Sequence, residues 1–261
     1  PACSSKSSHW NLTWLKRPSR THKKGHPSGA PLHFATCPCR RVHRPQRKTR
    51  AALAQMLPGA TMGHSTHINA ITALADLLHS ENRPEATQTA QLLASLGPDA
   101  LATPQQAGPF HAEMRALLAQ SPLPAAQALL QGFHTIPWGT NPVSTGPAQP
   151  IFAVAELLGD SAPIAALNLR MGLFYQTANA YYGLHDHPAD ETYTILAGSA
   201  HWTAGDTTTW KHPGDMIHHP SMLPHAFRTG RQGVLAMWRW SGDVSTQNYR
   251  MLDDPLVPLA G

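Results

Sequence analysis

Cysteine is scarce in this chain. The three present, Cys3, Cys37 and Cys39, all lie in the first 39 residues, so the rest has no disulfide framework and no thiol chemistry. Cys37-Pro-Cys39 is too close and too isolated for a zinc knuckle. Long apolar runs are also missing: no stretch of ~18 apolar residues exists, so no membrane-spanning helix is expected. Acidic residues are absent from residues 1–61, which carry twelve Lys and Arg. Residues 62–261 reverse the balance, with eight basic and fifteen acidic residues. The pI near 9.3 therefore belongs to the N-terminal segment and not to the body. That segment is rich in Ser, Pro, Arg and His, and cannot bury enough apolar surface to offset its ordering entropy. It can be a disordered basic tail, a transit peptide, a translated upstream stretch or an appended sequence. A disordered or extraneous tail over 1–61 is the favoured reading, ahead of a nucleic-acid arm. Basic residues are rare in the next stretch as well, with only Arg83 and Arg115 between residues 66 and 135. That speaks against DNA contact, which needs a positive face.

What is present divides into a helical part and a strand part. Residues 62–140 are expected to form a small helical subdomain. Ile68, Ile71, Leu74 and Leu78 recur at helical spacing. Pro84 and Glu85 open a second helix, carrying Leu92, Leu93 and Leu96 and stopping at Gly97-Pro98. Thr103-Pro-Gln-Gln106 resembles a capping box that opens a third, with Met114, Leu117 and Leu118. A fourth holds Ala125, Leu129 and Leu130 up to Gly132. After a Pro- and Gly-rich crossing at 136–149, residues 141–261 read as short strands. These are IFAVAELLG, IAALNLRMGLFYQ, YYGLHDH, ETYTILAGSAHWTA, TTTWKHPGDMIHH, HAFRTG and VLAMWRWSG. Turn signals such as Gly159-Asp160, Gly205-Asp206 and Thr229-Gly230 separate them. Short strands at close spacing argue a sandwich or barrel.

Three histidines and a glutamate stand out in that half. In a strand, residues two apart point to one face, so His185 and His187 project together. Pro188, Ala189 and Asp190 read as a tight turn, and Glu191 opens a second strand, with Tyr193 and Ile195 on its face. Two imidazoles and a carboxylate thus meet; they suit Zn, Fe, Ni, Mn or Co and offer no soft sulfur. The spacing H-x-H-x3-E-x6-G, ending at Gly198, resembles the first cupin motif. The glycine usual six residues upstream is replaced by Asn179. The second motif, G-x5-P-x-G-x2-H-x3-N, is met by Gly214, Pro220 and His225, with Met222 in place of the second glycine and Thr229 in place of the asparagine. His225 falls where the fourth ligand belongs. His212, His218 and His219 have no ligand spacing and read as surface residues or as neighbours of the ligands. With these motifs the expected fold is mainly β: a jelly-roll barrel of the cupin kind, preceded by the helices and holding one divalent transition metal.

The run YYGLHDHPADETYTILAG goes further. It resembles the cupin-type dimethylsulfoniopropionate lyases, whose first motif reads Y-x2-H-x-H-x3-E-x-Y-x2-L-x-G. Tyr182, His185, His187, Glu191, Tyr193, Leu196 and Gly198 match it, and His225 lies thirty-four residues after Glu191, as in that family. The resemblance implies a carbon–sulfur lyase acting by β-elimination. It implies His185, His187, Glu191 and His225 as metal ligands, and a base that takes the proton next to the substrate carboxylate. Tyr193, on the face of Glu191, is the expected base. A free phenol has a pKa of about 10, and a nearby cation favours the phenolate. Tyr182 is the second candidate; strict alternation turns it away from His185 and His187 unless the strand bulges near Gly183. Tyr181, Tyr182, Trp202, Trp210, Trp238 and Trp240 are candidates for an aromatic wall facing a sulfonium. Trp238 and Trp240 share a face, so both point in or both point out. Another cupin enzyme (a dioxygenase or isomerase) and a non-catalytic ligand-binding cupin are the competing readings. The expected partner is a small sulfonium carboxylate, with neither nucleic acid nor membrane, on a cytoplasmic, soluble, bacterial-type monomer or homodimer.

Overall fold

The computed structural model describes residues 58–95, 108–140 and 151–254, with the side chains of 58–65 and Thr140 set aside. The tail up to residue 57 with its three cysteines, the Gly97-Pro98 stop, the Thr103–Gln106 capping box and most of the 136–149 crossing lie outside those residues.

Four helices come first: α1 (Pro58–His79), α2 (Pro84–Ala94), α3 (His111–Ala119) and α4 (Pro124–Gly132), with a 3-10 turn at Phe133–Thr135. Proline begins both α2 and α4, where its missing N–H is no loss and its fixed φ already suits the helix. The buried stripe of α1 is Ala70, Ile71, Leu74, Ala75 and Leu78, whereas Ile68 is 43% exposed. The helix bearing Met114, Leu117 and Leu118 opens at His111, after Phe110 in the left-handed region at φ 64°. It therefore does not start at the Thr103–Gln106 sequence.

The strands are β1 (Gly139–Thr140), β2 (Phe152–Gly159), β3 (Ile164–Ala165), β4 (Leu169–Gln176), β5 (Tyr181–Asp186), β6 (Ala189–Ala204), β7 (Thr207–Lys211), β8 (Met216–His219), β9 (His225–Gly242) and β10 (Arg250–Met251). The order β1-β2-β4-β9-β5-β10 forms one path, and β6 joins it through β9 while also pairing with β7 and β8. The result is a cupin jelly-roll barrel with a small helical region. Two expectations change. Ala189 and Asp190 already pair with Gly242 and Ser241, so the turn after His187 is tighter than Pro188–Asp190. Thr229-Gly230 does not end a strand, because β9 runs through it. Thr229 is held there: its N–H donates to Ala180 O at 3.0 Å and its hydroxyl to Thr177 O at 2.6 Å.

β6 and β9 pair along most of their lengths, with register shifts at Ile195/Ala197 and Gly198/Ala200. Gly198 sits at φ +72°, and a Cβ there would meet Gly233 O at 2.0 Å. Only glycine allows the two strands to approach while bending.

Alternation along β9 sorts two cores. Leu235 and Met237 face the helices, joining Leu74, Leu78, Leu93, Leu118 and Leu129. Val234, Ala236, Trp238 and Trp240 face the barrel interior with Phe174, Tyr182, Tyr193, Trp202 and Phe227. Each fully buried side chain of this size contributes roughly 1.5–3 kcal/mol. Helices and sheet share the first core. Among the described residues no helix is long and apolar enough to cross a membrane.

Candidate metal centre

The interior aromatic core ends in a cluster of polar side chains. His185, His187, Glu191 and His225 are each no more than 2% exposed. Register explains their meeting. His185 lies opposite His225, and a register shift separates it from Tyr182. Glu191 lies between His219 on β8 and Trp240 on β9.

The three outer imidazoles are oriented alike. The Nδ1 of His185 lies 2.8 Å from Gly183 O, that of His187 3.2 Å from Ala189 O and that of His225 2.9 Å from Leu223 O. A carbonyl only accepts, so each Nδ1 carries the hydrogen and each Nε2 keeps its lone pair. The Nε2 atoms of His187 and His225 are buried without a hydrogen-bond partner. They lie 3.4 and 3.2 Å from Glu191 Oε2, without the alignment of a hydrogen bond. Possible ligand atoms of His185, His187 and His225 fall within 4.8 Å of one another, as do those of Glu191, His219 and His225. His225 is common to both sets. Buried lone pairs with no donor are costly unless something completes them. Backbone carbonyls on the far nitrogens are the usual outer partners of metal-bound histidine. The residues fit a divalent ion with nitrogen and oxygen ligands.

Glu191 is gripped on both oxygens. Trp240 Nε1 donates to Oε1 at 2.6 Å, and His219 Nδ1 lies 2.9 Å from Oε2. Burial pushes this carboxyl up, but the imidazoles packed around it, with His219 as the hydrogen-bond donor, pull it well below the usual carboxylate range. Burial, followed by the neighbouring His225, pushes the His185 imidazole well down. Burial likewise lowers His219 to about 4, against the opposing pull of Glu191.

Tyr193 is 5% exposed. Its ring lies 6.0 Å from that of His219 and 4.9 Å from that of Trp202. Burial, then the charge of Glu191, raises its phenol well above the ordinary value. Tyr182 enters the interior through the register shift next to Gly183. Its ring stacks on His185 at 4.3 Å, and its hydroxyl bonds that of Tyr249. Of the aromatic candidates, Trp202, Trp238 and Trp240 face inward, whereas Trp210 is 48% exposed. Tyr181 is engaged elsewhere, donating to Asp254 at 2.5 Å.

The two residues that stand in place of motif glycines have the left-handed backbone that favours glycine. Asn179 has φ 54° and Met222 φ 65°. Met222 N also donates to His187 O at 2.9 Å, which ties the β8–β9 loop to the ligand hairpin.

Three residues of the site escaped the sequence reading in part. His219 carries no ligand spacing, yet it is 1% exposed and bonded to Glu191. His218 beside it is exposed and pairs with Asp190 at 2.8 Å. Trp240 was legible only as an aromatic that points in or out. Tyr249 gave no signal at all, because it follows β9 in an irregular stretch. Its ring stacks over His185 at 5.2 Å. The segment is anchored next door, where Arg250 grips Asp186 at 2.8 and 2.5 Å.

The family model for dimethylsulfoniopropionate lyase matches residues 86–236, more than half of the chain. A curated dimethylsulfoniopropionate lyase, DddQ of Ruegeria pomeroyi, is 41% identical over 96 residues, which are 36% of this chain and 48% of that enzyme. The match thus spans about half the length of that relative. A crystal structure described as that of the DMSP lyases RdDddP and RnDddQII has the same fold, with a TM-score of 0.53 at 22% identity. It aligns with 73% of this chain and 100% of its own. The crystal structure of the Ruegeria pomeroyi enzyme gives a TM-score of 0.45 at 29% identity, over 67% of this chain and 93% of its own.

Proposed function

The chain belongs to the dimethylsulfoniopropionate lyase family, and from that premise we propose that it cleaves dimethylsulfoniopropionate to dimethyl sulfide and acrylate by β-elimination. The observation that carries the reading is the meeting of metal-type ligands and a tyrosine at the end of an aromatic barrel. His185, His187, Glu191 and His225 would hold one divalent transition metal, which when bound supplies a Lewis acid for the substrate carboxylate and so acidifies the neighbouring C–H.

Tyr193 is the base. Its phenolate oxygen takes the α-proton, the C–H electron pair becomes the C=C bond, and the Cβ–S pair leaves with sulfur. Burial, and after it the charge of Glu191, hold this phenol protonated, so the base requires a cation beside it that offsets both. Tyr182 stacks on His185 and shares a hydrogen bond with Tyr249. These two phenols pack the ligand ring in place and put a second acid–base group beside the site. Trp238, Trp240 and Phe174 supply π faces for the sulfonium, a contact worth about 2 kcal/mol when desolvated. The aromatic interior also excludes water, which strengthens every electrostatic contact within it.

The test is product analysis. Metal-loaded protein incubated with dimethylsulfoniopropionate should release dimethyl sulfide into the headspace with an equal amount of acrylate, and a chelator should stop both. Folded, metal-loaded protein that releases neither product would overturn the proposal.

A further inference from the structure

We infer that His219 is a positioning residue that holds two of the metal ligands, Glu191 and His225, without ligating the ion. The inference rests on the metal-dependent reading above and goes beyond it, because by distance alone His219 is itself a candidate ligand beside Glu191 and His225.

The hydrogen-bond chemistry separates it from the others. Trp202 Nε1 lies 3.0 Å from His219 Nε2. An indole N–H only donates, so that Nε2 accepts and carries no hydrogen. In the neutral ring the hydrogen is then on Nδ1, which lies 2.9 Å from Glu191 Oε2. Both nitrogens are committed, one as acceptor from Trp202 and one as donor to the carboxylate. His187 and His225 have the reverse arrangement, with Nδ1 on a backbone carbonyl and Nε2 buried without a partner. The ring of His219 also stacks on that of His225 at 3.9 Å and 19°. It therefore fixes one carboxylate oxygen through a hydrogen bond and one imidazole through its face. Trp240 holds the other carboxylate oxygen at 2.6 Å.

Two substitutions split the role. In His219→Asn the amide nitrogen stands close to where Nδ1 stood and keeps a donor for Glu191. In His219→Gln the longer chain carries the amide past that position toward Trp202, and Glu191 loses its donor. The probe is cobalt(II), titrated into the full chain and followed by its d–d absorption. The Gln variant should bind cobalt about 10–100-fold more weakly, the usual effect of losing an outer partner of a ligand, with shifted bands. The Asn variant, which keeps the donor for Glu191 and loses only the ring face on His225, should be weakened much less than the Gln variant. Parent-like binding by the Gln variant, or equal weakening in both folded variants, overturns the inference. A measurement on the parent alone decides it as well. Paramagnetic NMR of the cobalt protein should show large contact shifts on the exchangeable imidazole protons of three histidines, His185, His187 and His225, with only a smaller through-space shift from His219; a fourth proton shifted as far as those three overturns the inference. A parent that takes up no cobalt would instead bring down the metal-dependent reading, a different outcome.

Discussion

Met222 and Asn179 hold left-handed backbone at φ 65° and 54°, where the two motifs have glycine. For a side chain other than Gly, Asn or Asp this region costs roughly 1–2 kcal/mol. Met222→Gly should therefore raise unfolding stability by about 1 kcal/mol, less the entropy that glycine adds to the unfolded chain. Asn179→Gly should gain less, since Asn visits this region readily. Urea unfolding of the two variants checks both; a Met222→Gly protein less stable than its parent would contradict the account. The replaced glycines also show how far single residues can be read. The departures from the motif are visible in the sequence, but only the folded backbone tells whether a turn has changed or a side chain tolerates the old one. His185, His187, Glu191 and His225 were legible because their spacing is local. His219, Trp240 and Tyr249 were not, because their link to the cluster depends on which strand lies opposite which, and on a segment with no periodicity.

Between elements, the clearest device joins the α1–α2 turn to the outside of the ligand strand. Arg239 lies between the inward-facing Trp238 and Trp240, so its own side chain faces out of the barrel. It is fully buried, with its Nε 2.9 Å from Glu81 Oε2 and its other nitrogens on Ser241 and Thr192 at 2.9 and 3.1 Å. Arg83 adds a bond to Asp190 at 2.8 Å. Removing one partner of a buried pair leaves an uncompensated charge and costs about 3–5 kcal/mol. Arg239→Met should show that loss in urea unfolding, and adding Glu81→Gln should recover much of it. A single Arg239→Met loss below about 1 kcal/mol, as for an exposed pair, would contradict this description. Element existence was legible from hydrophobic period: the helices with proline at their starts, and the strands of alternating pattern. Element ends were less so. HAFRTG and VLAMWRWSG fuse into β9 across a Thr-Gly turn signal, because Thr229 finds partners in Thr177 and Ala180 of the β4–β5 turn. The α3 start moves to His111.

At the scale of the whole molecule, helices and barrel share one core while the barrel interior is filled with aromatic rings. One consequence is that all five tyrosines are shifted upward. Tyr175 is pushed up to about 12 by burial and by Glu113. Tyr181, Tyr182, Tyr193 and Tyr249 are raised as well, each first by burial. The folded pKa lies above the unfolded value of 10.0, so the unfolded chain loses these protons first. The stability they contribute is fully present below pH 10 and falls as pH rises toward 12. The metal-free protein should show no phenolate absorbance step near pH 10 while folded, and should lose thermal stability above it; a normal tyrosine titration in the folded state would contradict the burial described. Metal loading should lower one phenol, and Tyr193→Phe should abolish that change. The same substitution gives the most direct test of the account. Tyr193→Phe keeps the ring and its packing and removes only the oxygen. Metal content and melting temperature should stay near those of the parent, while the rate of dimethyl sulfide release from dimethylsulfoniopropionate should fall by about 10²-fold or more, the scale of losing a general base. A metal-loaded Tyr193→Phe protein that releases dimethyl sulfide at close to the parent rate would contradict it.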